Sequence, residues 1–330
     1  MPLPTKPVAS VSLDLDDKWT YMKTHGDPRW SEYPSYLNIV VPRVLSFLEK
    51  RNLKISFFIV GQDAAFERNH AVLRSIADAG HEISNHSFHH EPWLHLYSES
   101  EIQKEFEASE KAIESATGQK TIGFRGPGFS VSEMVIKVMV SRGYKYDAST
   151  LPTFLGPLAR AYYFFTAKLD AEEKKKRAKL FGTLADGLRP IKHHTWRSSA
   201  GSITEIPVTT VPLIRTPFHL SYLIYLNSFS TALSSAYMHT AFGACKTAGV
   251  SPSFLLHPLD FLGPDEAPEL AFFPGMKMSV PEKLNLADKV FSALAASFSL
   301  VSMREHAELV ATSGSTTPGR VPNSASSTSR

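Results

Sequence analysis

The sequence lacks features that would each point to a particular class of protein. It contains a single cysteine, Cys245, so it can form neither an internal disulfide nor a zinc site held by several cysteines. Its 35 basic and 32 acidic side chains nearly balance, and a formal net charge of +3 does not indicate a nucleic-acid partner. Any metal ion must therefore be bound by histidine and carboxylate side chains.

Long uninterrupted apolar segments are also absent from the sequence. The most apolar long window, residues 217–245, is interrupted by His219, Asn227 and His239, whereas a membrane-spanning helix needs about 20 mainly apolar residues. Residues 1–11 lack the continuous apolar stretch of a secretory signal. We therefore expect a cytoplasmic protein without a transmembrane helix.

The length and the 43% apolar composition suffice for one large α/β domain or two modest ones. We expect a single domain over residues 1–310, with an insertion at about 150–200 where the regular pattern breaks. Residues 311–330 are mostly Ser, Thr, Gly, Pro and Asn, with few apolar side chains to offset the entropy of ordering. This tail is predicted to be disordered.

Short β-branched runs alternate with segments of helical periodicity along the chain. Such alternation predicts a parallel sheet, open or closed into a barrel, with the active residues at the carboxyl ends of the strands. The strands are predicted at residues 8–15, 54–60, 81–84, 121–125, 144–148, 202–208, 253–257 and 299–302.

Two carboxylates stand at the end of the first predicted strand. The period of two in a strand directs Asp14 and Asp16 to one face, so they are expected to share a pocket. The structural alternative is a polar strand end whose acids cap the following loop.

A cluster of imidazoles follows the third predicted strand, at His86, His89 and His90. Two imidazoles and a carboxylate form a familiar set for a catalytic divalent ion, with a position left open for water and substrate. The alternative is a surface loop that is rich in histidine. The acid pair on another strand favours the metal site, with Asp16 completing it.

Five motifs occur in order along the chain: Ser12-Leu13-Asp14, Asp14-Leu15-Asp16, His86-Ser87-Phe88-His89-His90, Arg125-Gly126-Pro127-Gly128-Phe129 and Leu255-Leu256-His257. With these motifs, the sequence resembles the polysaccharide deacetylase family, also called NodB-homology or carbohydrate esterase family 4, over residues 8–307. The resemblance implies a distorted (β/α) barrel of about seven parallel strands with a helical insertion.

The resemblance implies a role for each matching residue. Asp14 is the general base, and His257 is the general acid. Arg125 orients the base, since a guanidinium pairs well with a carboxylate. The metal ligands are Asp16, His86 and His90, and the residues of the substrate groove are Pro127, Gly128 and Asp147.

The first motif can also be read in a second register. Most of the family has adjacent aspartates, which would make Asp16 the base and Asp17 a metal ligand. Strand alternation favours Asp14 and Asp16 instead. Lys18 and Trp19 replace the usual glycine, so the first loop is bulkier than in simpler deacetylases.

The resemblance implies a metal-dependent hydrolase that removes an N-acyl group, such as acetyl, from an amino sugar in a polysaccharide or a lipid-linked saccharide. The ion is a divalent metal, with zinc as the first expectation. Two alternatives stay open: a metal-free amidase of cyclic amides, similar to the allantoinase-like branch, and a non-catalytic carbohydrate-binding protein.

The insertion has the composition of an interfacial surface, because aromatic side chains precede a basic run. We therefore expect a cytoplasmic protein that associates peripherally with the membrane. In the alternative, these segments pack over the barrel or form a dimer interface. The residues concerned are Phe154, Tyr162, Tyr163, Phe164, Phe165, Lys174, Lys175, Lys176, Arg177 and Lys179.

Overall fold

A computed structural model describes residues 6–158, 161, 183–313 and 317–319. Most of the predicted insertion, including its basic run and Tyr162 to Phe165, lies outside these residues. The described strands are β1 (Val8–Leu15), β2 (Ser56–Ile59), β3 (Glu82–Asn85), β4 (Gly123–Phe124), β5 (Tyr146–Asp147), β6 (His194–Ser198), β7 (Gly201–Glu205), β8 (Ser253–Leu256), β9 (Ser299–Val301) and β10 (Thr317–Pro318).

Helices connect most of these strands and cover the sheet. Among the described residues, none is long and apolar enough to cross a membrane. The helices are α1 (Lys18–His25), α2 (Leu37–Glu49), α3 (Gly61–Ala65), α4 (Glu67–Asp78), α5 (Glu99–Thr117), α6 (Glu133–Ser141), α7 (Leu220–Asn227), α8 (Thr231–Ala248), α9 (Val280–Ser297) and α10 (Met303–Ser313).

The described strands form one sheet in the order β10-β6-β7-β5-β4-β3-β2-β1-β8, and β9 also pairs with β1. All of these pairings are parallel except that of β6 with β7. Beyond β7 the chain contacts the start of β8. Thr209 N donates to Ser253 O at 3.2 Å, and Ser253 N donates to Thr209 Oγ1 at 2.6 Å. This contact brings the two ends of the seven-stranded parallel part together, as in a distorted barrel.

The two faces of the sheet have different cores. On one face Phe58, Tyr146 and Ala148 pack with Met303 and Ala307 of α10. On the other face of the same strands, Phe124 packs with side chains of α5 and α6. Strands β4 and β5 pair Gly123 with Tyr146 and Phe124 with Asp147. Paired residues lie on the same face of the sheet, so Asp147 shares the face of Phe124, and Gly123 shares the face that is covered by α10.

The parallel α/β pattern predicted from the sequence is present, and β1 has the predicted bounds. Helical periodicity predicts one helix at residues 64–79 and another at about residues 221–247, but each of them is broken in two in the structure. Extended backbone at Phe66 separates α3 from α4, and Ser230 caps a new helix after α7. Strand β6 was not predicted, because it falls within the supposed insertion.

The described structure continues past residue 310, the predicted end of the domain. Helix α10 continues to Ser313, and Thr317–Pro318 pairs with β6 in the sheet. The remaining residues of the predicted tail lie outside the described part of the chain.

A close contact between α3 and α5 supports the loop after β3. Gly61 N donates to Ser87 O at 2.8 Å, and Gln62 N donates to Phe88 O at 3.0 Å. A Cβ atom on Gly61 would lie only 2.7 Å from Ser109 Cα. A glycine is therefore needed where the helix holds the histidine-containing loop.

We expect Gly61→Ala to destabilise the protein by about 1–3 kcal/mol, since the added methyl forces two backbones apart. Gly243→Ala is the matched control, because a Cβ atom there meets nothing within 4 Å inside α8. It should be neutral or stabilise by about 0.5–1 kcal/mol. Urea unfolding of both variants measures the difference, and equal midpoints would contradict the role given to Gly61.

Candidate metal centre

Three of the predicted site residues converge at the carboxyl end of the sheet. Asp16 Oδ1 lies 3.0 Å from His90 Nε2 and 3.3 Å from His86 Nε2. The ligand atoms of the three side chains all lie within 4.8 Å of one another, and no other such group was found among the described residues. Asp16 follows β1 and the two histidines follow β3, so strands from different parts of the chain form the group.

Hydrogen bonds hold the first histidine in a definite orientation. His86 Nδ1 lies 2.6 Å from Arg125 O, and because a carbonyl oxygen only accepts, Nδ1 must carry the proton. The Nε2 lone pair then points toward Asp16. Ser87 and His90 have left-handed backbones, with φ of 64° and 53°, and this tight turn brings His90 back toward His86.

The group has the chemistry of a divalent cation site. Asp16 Oδ1 and His90 Nε2 are buried and lack a hydrogen-bond partner, although they lie close together. Burial raises the pKa of Asp16, but the two imidazoles more than offset this, and the net pKa lies well below its ordinary value. One carboxylate and two imidazoles suit zinc and related ions. The residues present therefore fit a metal ion.

A buried ion pair lies beside this group. Arg125 Nη1 donates to Asp14 Oδ1 at 2.5 Å and to Ser12 Oγ at 3.0 Å, and Arg125 Nε donates to Ala148 O at 3.0 Å. Arg125 is fully buried, and its guanidinium lies 4.2 Å from the ring centroid of Phe58. Several contacts therefore fix the Asp14 carboxylate next to the candidate metal ligands.

Asp17 has a different role from its neighbours. Its Oδ1 accepts from Lys18 N at 2.7 Å and from Tyr36 N at 2.9 Å, so the side chain caps α1. Burial raises its pKa to about 6. The structure groups Asp16, not Asp17, with the two histidines, as in the register with Asp14 and Asp16 on one face.

His257 follows β8, the neighbour of β1. The register pairs Leu13 with Leu256, so His257 and Asp14 come next on adjacent parallel strands. His257 Nδ1 lies 3.1 Å from Ser221 Oγ, and its backbone N donates to Asp260 Oδ2 at 2.8 Å. The structure thus brings the predicted base and the predicted acid to the same end of the sheet.

Of the three predicted groove residues, two follow Arg125 directly. Pro127 and Gly128 form a short turn after β4, in which Gly128 has φ of 59°. Asp147 lies elsewhere, because it is in register with Phe124 and so points to the face covered by α5 and α6. Its assignment to the groove is a correction that the structure requires: strand alternation turns it away from Asp14.

Asp147 belongs instead to a buried carboxyl pair with Glu205, its partner on β7. It accepts from Ser149, while Glu205 accepts from Thr150 N and from Trp196 Nε1, each at 3.0 Å. Burial, and then the charge of Glu205, raise the pKa of Asp147 well above its usual range. Asp147 therefore belongs to a buried structural cluster rather than to the groove.

Comparison with known proteins matches residues 6–146 to the family model described as polysaccharide deacetylase. These residues, less than half of the chain, are similar to polysaccharide deacetylases. The matched segment contains the three candidate ligands, Asp14 and Arg125, and His257 lies beyond it.

Several proteins that are similar to the chain are named as deacetylases. The chain is 28% identical over 182 residues to the peptidoglycan deacetylase-like protein FGM2 of Gibberella zeae, which covers 52% of this chain and 51% of that protein. It is 32% identical over 111 residues to the peptidoglycan-N-acetylmuramic acid deacetylase PdaA of Bacillus subtilis, with coverage of 33% and 41%. The chain thus spans about half or less of these relatives.

A solved structure shows the same fold over nearly the whole chain. A Mycobacterium smegmatis protein assigned to the polysaccharide deacetylases superimposes with a TM-score of 0.63 at 19% identity, covering 98% of this chain and 96% of that one. The predicted barrel of the polysaccharide deacetylase type is confirmed.

Some contacts around the candidate site were not predicted from the sequence. Ser12 binds Arg125, Ser221 binds His257, and Glu105 binds His89, which is not among the predicted ligands. No local motif marks Ser221 or Glu105, because their contacts form only when distant segments fold together. The alternation of β1 could have pointed to Ser12, which shares a face with Asp14.

A larger surface depression, about 550 Å³ in volume, lies at the opposite end of the strands. Its walls include Lys54, Glu82 and Arg304, and none of the three candidate ligands. In barrels of this kind, reactive groups gather at the carboxyl ends of strands. This depression is therefore not the candidate catalytic site.

We expect about one divalent ion per chain in the wild type and a loss of that ion in a His86→Ala, His90→Ala double variant, as three ligand side chains are the usual minimum for a catalytic site. Asp16→Ala should behave in the same way. Asp17→Asn is the control, since an amide oxygen can still cap α1. Plasma mass spectrometry measures the metal content, and retention in Asp16→Ala with loss in Asp17→Asn would reverse the assignment.

The Asp147 pair predicts a pH effect on stability. Because the folded-state pKa is raised above the unfolded value of about 4, stability falls as pH rises from that value through the folded pKa. Asp147→Asn removes this loss, so thermal unfolding should show a larger gain over wild type at pH 8 than at pH 5. Asp265→Asn, at an exposed site, is the control. A gain in stability that does not vary with pH would contradict the raised pKa of Asp147.

Proposed function

We propose that the chain is a metal-dependent hydrolase that removes an N-acyl group from an amino sugar. The observation that carries this proposal is the convergence of Asp16, His86 and His90 beside the buried pair of Asp14 and Arg125. The match of residues 6–146 to the polysaccharide deacetylase model supports the reaction class. The relatives cited above, named for deacetylation of peptidoglycan, support an amino-sugar substrate.

Zinc is the proposed ion, held by Asp16, His86 and His90. When bound, such an ion supplies a Lewis acid that polarises the acyl oxygen and lowers the pKa of a bound water. The hydrogen bond from His86 Nδ1 to Arg125 O keeps the ligand nitrogen available, which is the usual function of such an outer contact.

Asp14 is the proposed general base. Its carboxylate is fixed through Oδ1 by Arg125 at 2.5 Å, in the pocket next to the ligand group. A base acts efficiently only when it is held within hydrogen-bond reach of the proton that it removes. Asp14 would accept a proton from the attacking water, and Arg125 would keep the carboxylate in the orientation that this transfer needs.

His257 is the proposed general acid. Ser221 Oγ contacts Nδ1, and the backbone of His257 is held by Asp260, so the imidazole has a fixed direction. Its place next to Asp14 on the adjacent strand allows a proton to pass to the departing amine on the far side of the same acyl carbon.

The substrate is proposed to be an acylated amino sugar of a polysaccharide or a lipid-linked saccharide. The two alternatives, a metal-free amidase and a non-catalytic binding protein, gain no support from the converged ligand group. Cytoplasmic location, peripheral membrane contact and oligomer formation stay predictions from the sequence.

We expect Asp14→Asn to lower deacetylation by about 10²–10⁴-fold, because the amide cannot take the proton of water. The metal content should be unchanged. Amine release from N-acetylglucosamine oligomers measures the rate, and Asp17→Asn is the matched control at the adjacent acid. Full activity in Asp14→Asn together with loss in Asp17→Asn would favour the second register of the first motif.

A further inference from the structure

A cavity of about 190 Å³ lies between α1, α7 and the segment that follows β8. It adjoins the proposed acid, because His257 forms part of its wall. Tyr21 forms another part, and it lies on α1, the helix that begins at Lys18, directly after Asp16 and Asp17. The cavity therefore adjoins both the proposed acid and the helix that follows the candidate ligand Asp16.

The polar groups of the cavity are concentrated around His257. Ser221 is engaged with His257 Nδ1, Asp260 accepts from His257 N, and His219 Nδ1 accepts from Tyr222 N at 3.4 Å. The Tyr21 hydroxyl is buried without a hydrogen-bond partner among the described residues. One end of the cavity thus offers a free hydroxyl and an imidazole to a polar atom of a ligand.

The rest of the wall is apolar. Ile224 and Met276 are almost fully buried, and Leu259 and Phe273 are packed against the core. A sugar ring placed there would lose water from its hydroxyls without enough partners in exchange, which is costly. The part of an acylated amino sugar that suits these walls is the acyl chain, which has one polar end and an apolar remainder.

The volume indicates how long such a chain is. A dry apolar cavity of about 150 Å³ holds a benzene molecule, which has six carbon atoms. The single methyl of an acetyl group would leave most of 190 Å³ unfilled and would forfeit the dispersion contacts of the walls. The size therefore fits an acyl chain of about four to six carbons.

We propose that this cavity binds the acyl chain of the substrate, and that the enzyme prefers an N-acyl group longer than acetyl. The inference rests on the proposed function, since it places the acyl carbon at the metal group. It assigns Ile224, Leu259, Phe273 and Met276 to recognition of the chain, with Tyr21 at its polar end.

Binding of hydroxamates to the zinc-loaded protein tests the proposal without turnover. Acetohydroxamate and hexanohydroxamate share the metal-binding head and differ only in four methylenes. Burial of each methylene increases affinity by up to about fourfold, so we expect hexanohydroxamate to bind at least about tenfold more tightly in titration calorimetry.

A substitution in the wall separates cavity binding from general hydrophobicity. Leu259→Trp fills the cavity from its partly exposed side, and the ratio of the two affinities should fall to near one. Leu233→Trp makes the same change on the exposed face of α8 and should keep the wild-type ratio. If Leu259→Trp does not fold, the ratio of the two affinities measured on the wild type still tests whether the longer chain is preferred.

The outcomes distinguish the two proposals. Tight binding of both hydroxamates with equal affinity would overturn the acyl-chain site and leave the proposed function intact. Failure of both compounds to bind the zinc-loaded protein would overturn the proposed metal chemistry, and the acyl-chain site with it. An unchanged preference in Leu259→Trp would show that the chain binds elsewhere.

Discussion

The Arg125 residue connects almost every part of the candidate site. Its guanidinium binds Asp14 and Ser12 of β1 and the carbonyl of Ala148 after β5, and its own carbonyl accepts from His86. Its backbone N also donates to Asn85 O at 3.1 Å, which continues the pairing of β3 with β4. A single buried cation therefore connects the proposed base and a proposed metal ligand, and it does so across several strands of the sheet.

A buried cation is stable only when its partners are already in place, because its desolvation is expensive. The partners of Arg125 come from three strands that are distant in sequence. The site consequently depends on the whole sheet, and the ligand loop after β3 depends in turn on α3 and on the absence of a side chain at Gly61.

Much of this arrangement is predictable from local sequence. The alternation of Asp14 and Asp16 in an apolar strand predicts that they share one side, since strand geometry leaves only two choices. In the structure Asp14 pairs with Arg125, and Asp16 lies beside His86 and His90. The rule was not applied to Asp147, which was assigned to the groove from its motif alone. Its register with Phe124 turns it to the opposite face. A two-residue strand gives too short a pattern for its facing to be read from sequence.

Other features depend on contacts that no local pattern encodes. The antiparallel pairing of β6 with β7 and the strand at Thr317–Pro318 form between segments that are far apart in the chain. The pairing of Ser221 with His257 likewise requires that α7 pack over the end of β8. Propensity and periodicity report only what neighbours in sequence do, so such tertiary contacts stay hidden.

The division of the site between strand ends and covering segments has a consequence for how the chain can change. Asp14, Asp16 and Arg125 are fixed by the sheet, so substitutions there disturb the whole barrel. Apart from Tyr21 of α1, the walls of the cavity beside His257 come from α7 and the loops after β8, outside the segment matched to the polysaccharide deacetylase model. Ligand preference in this protein can therefore diverge through mutations in the later part of the chain while the reactive groups stay unaltered.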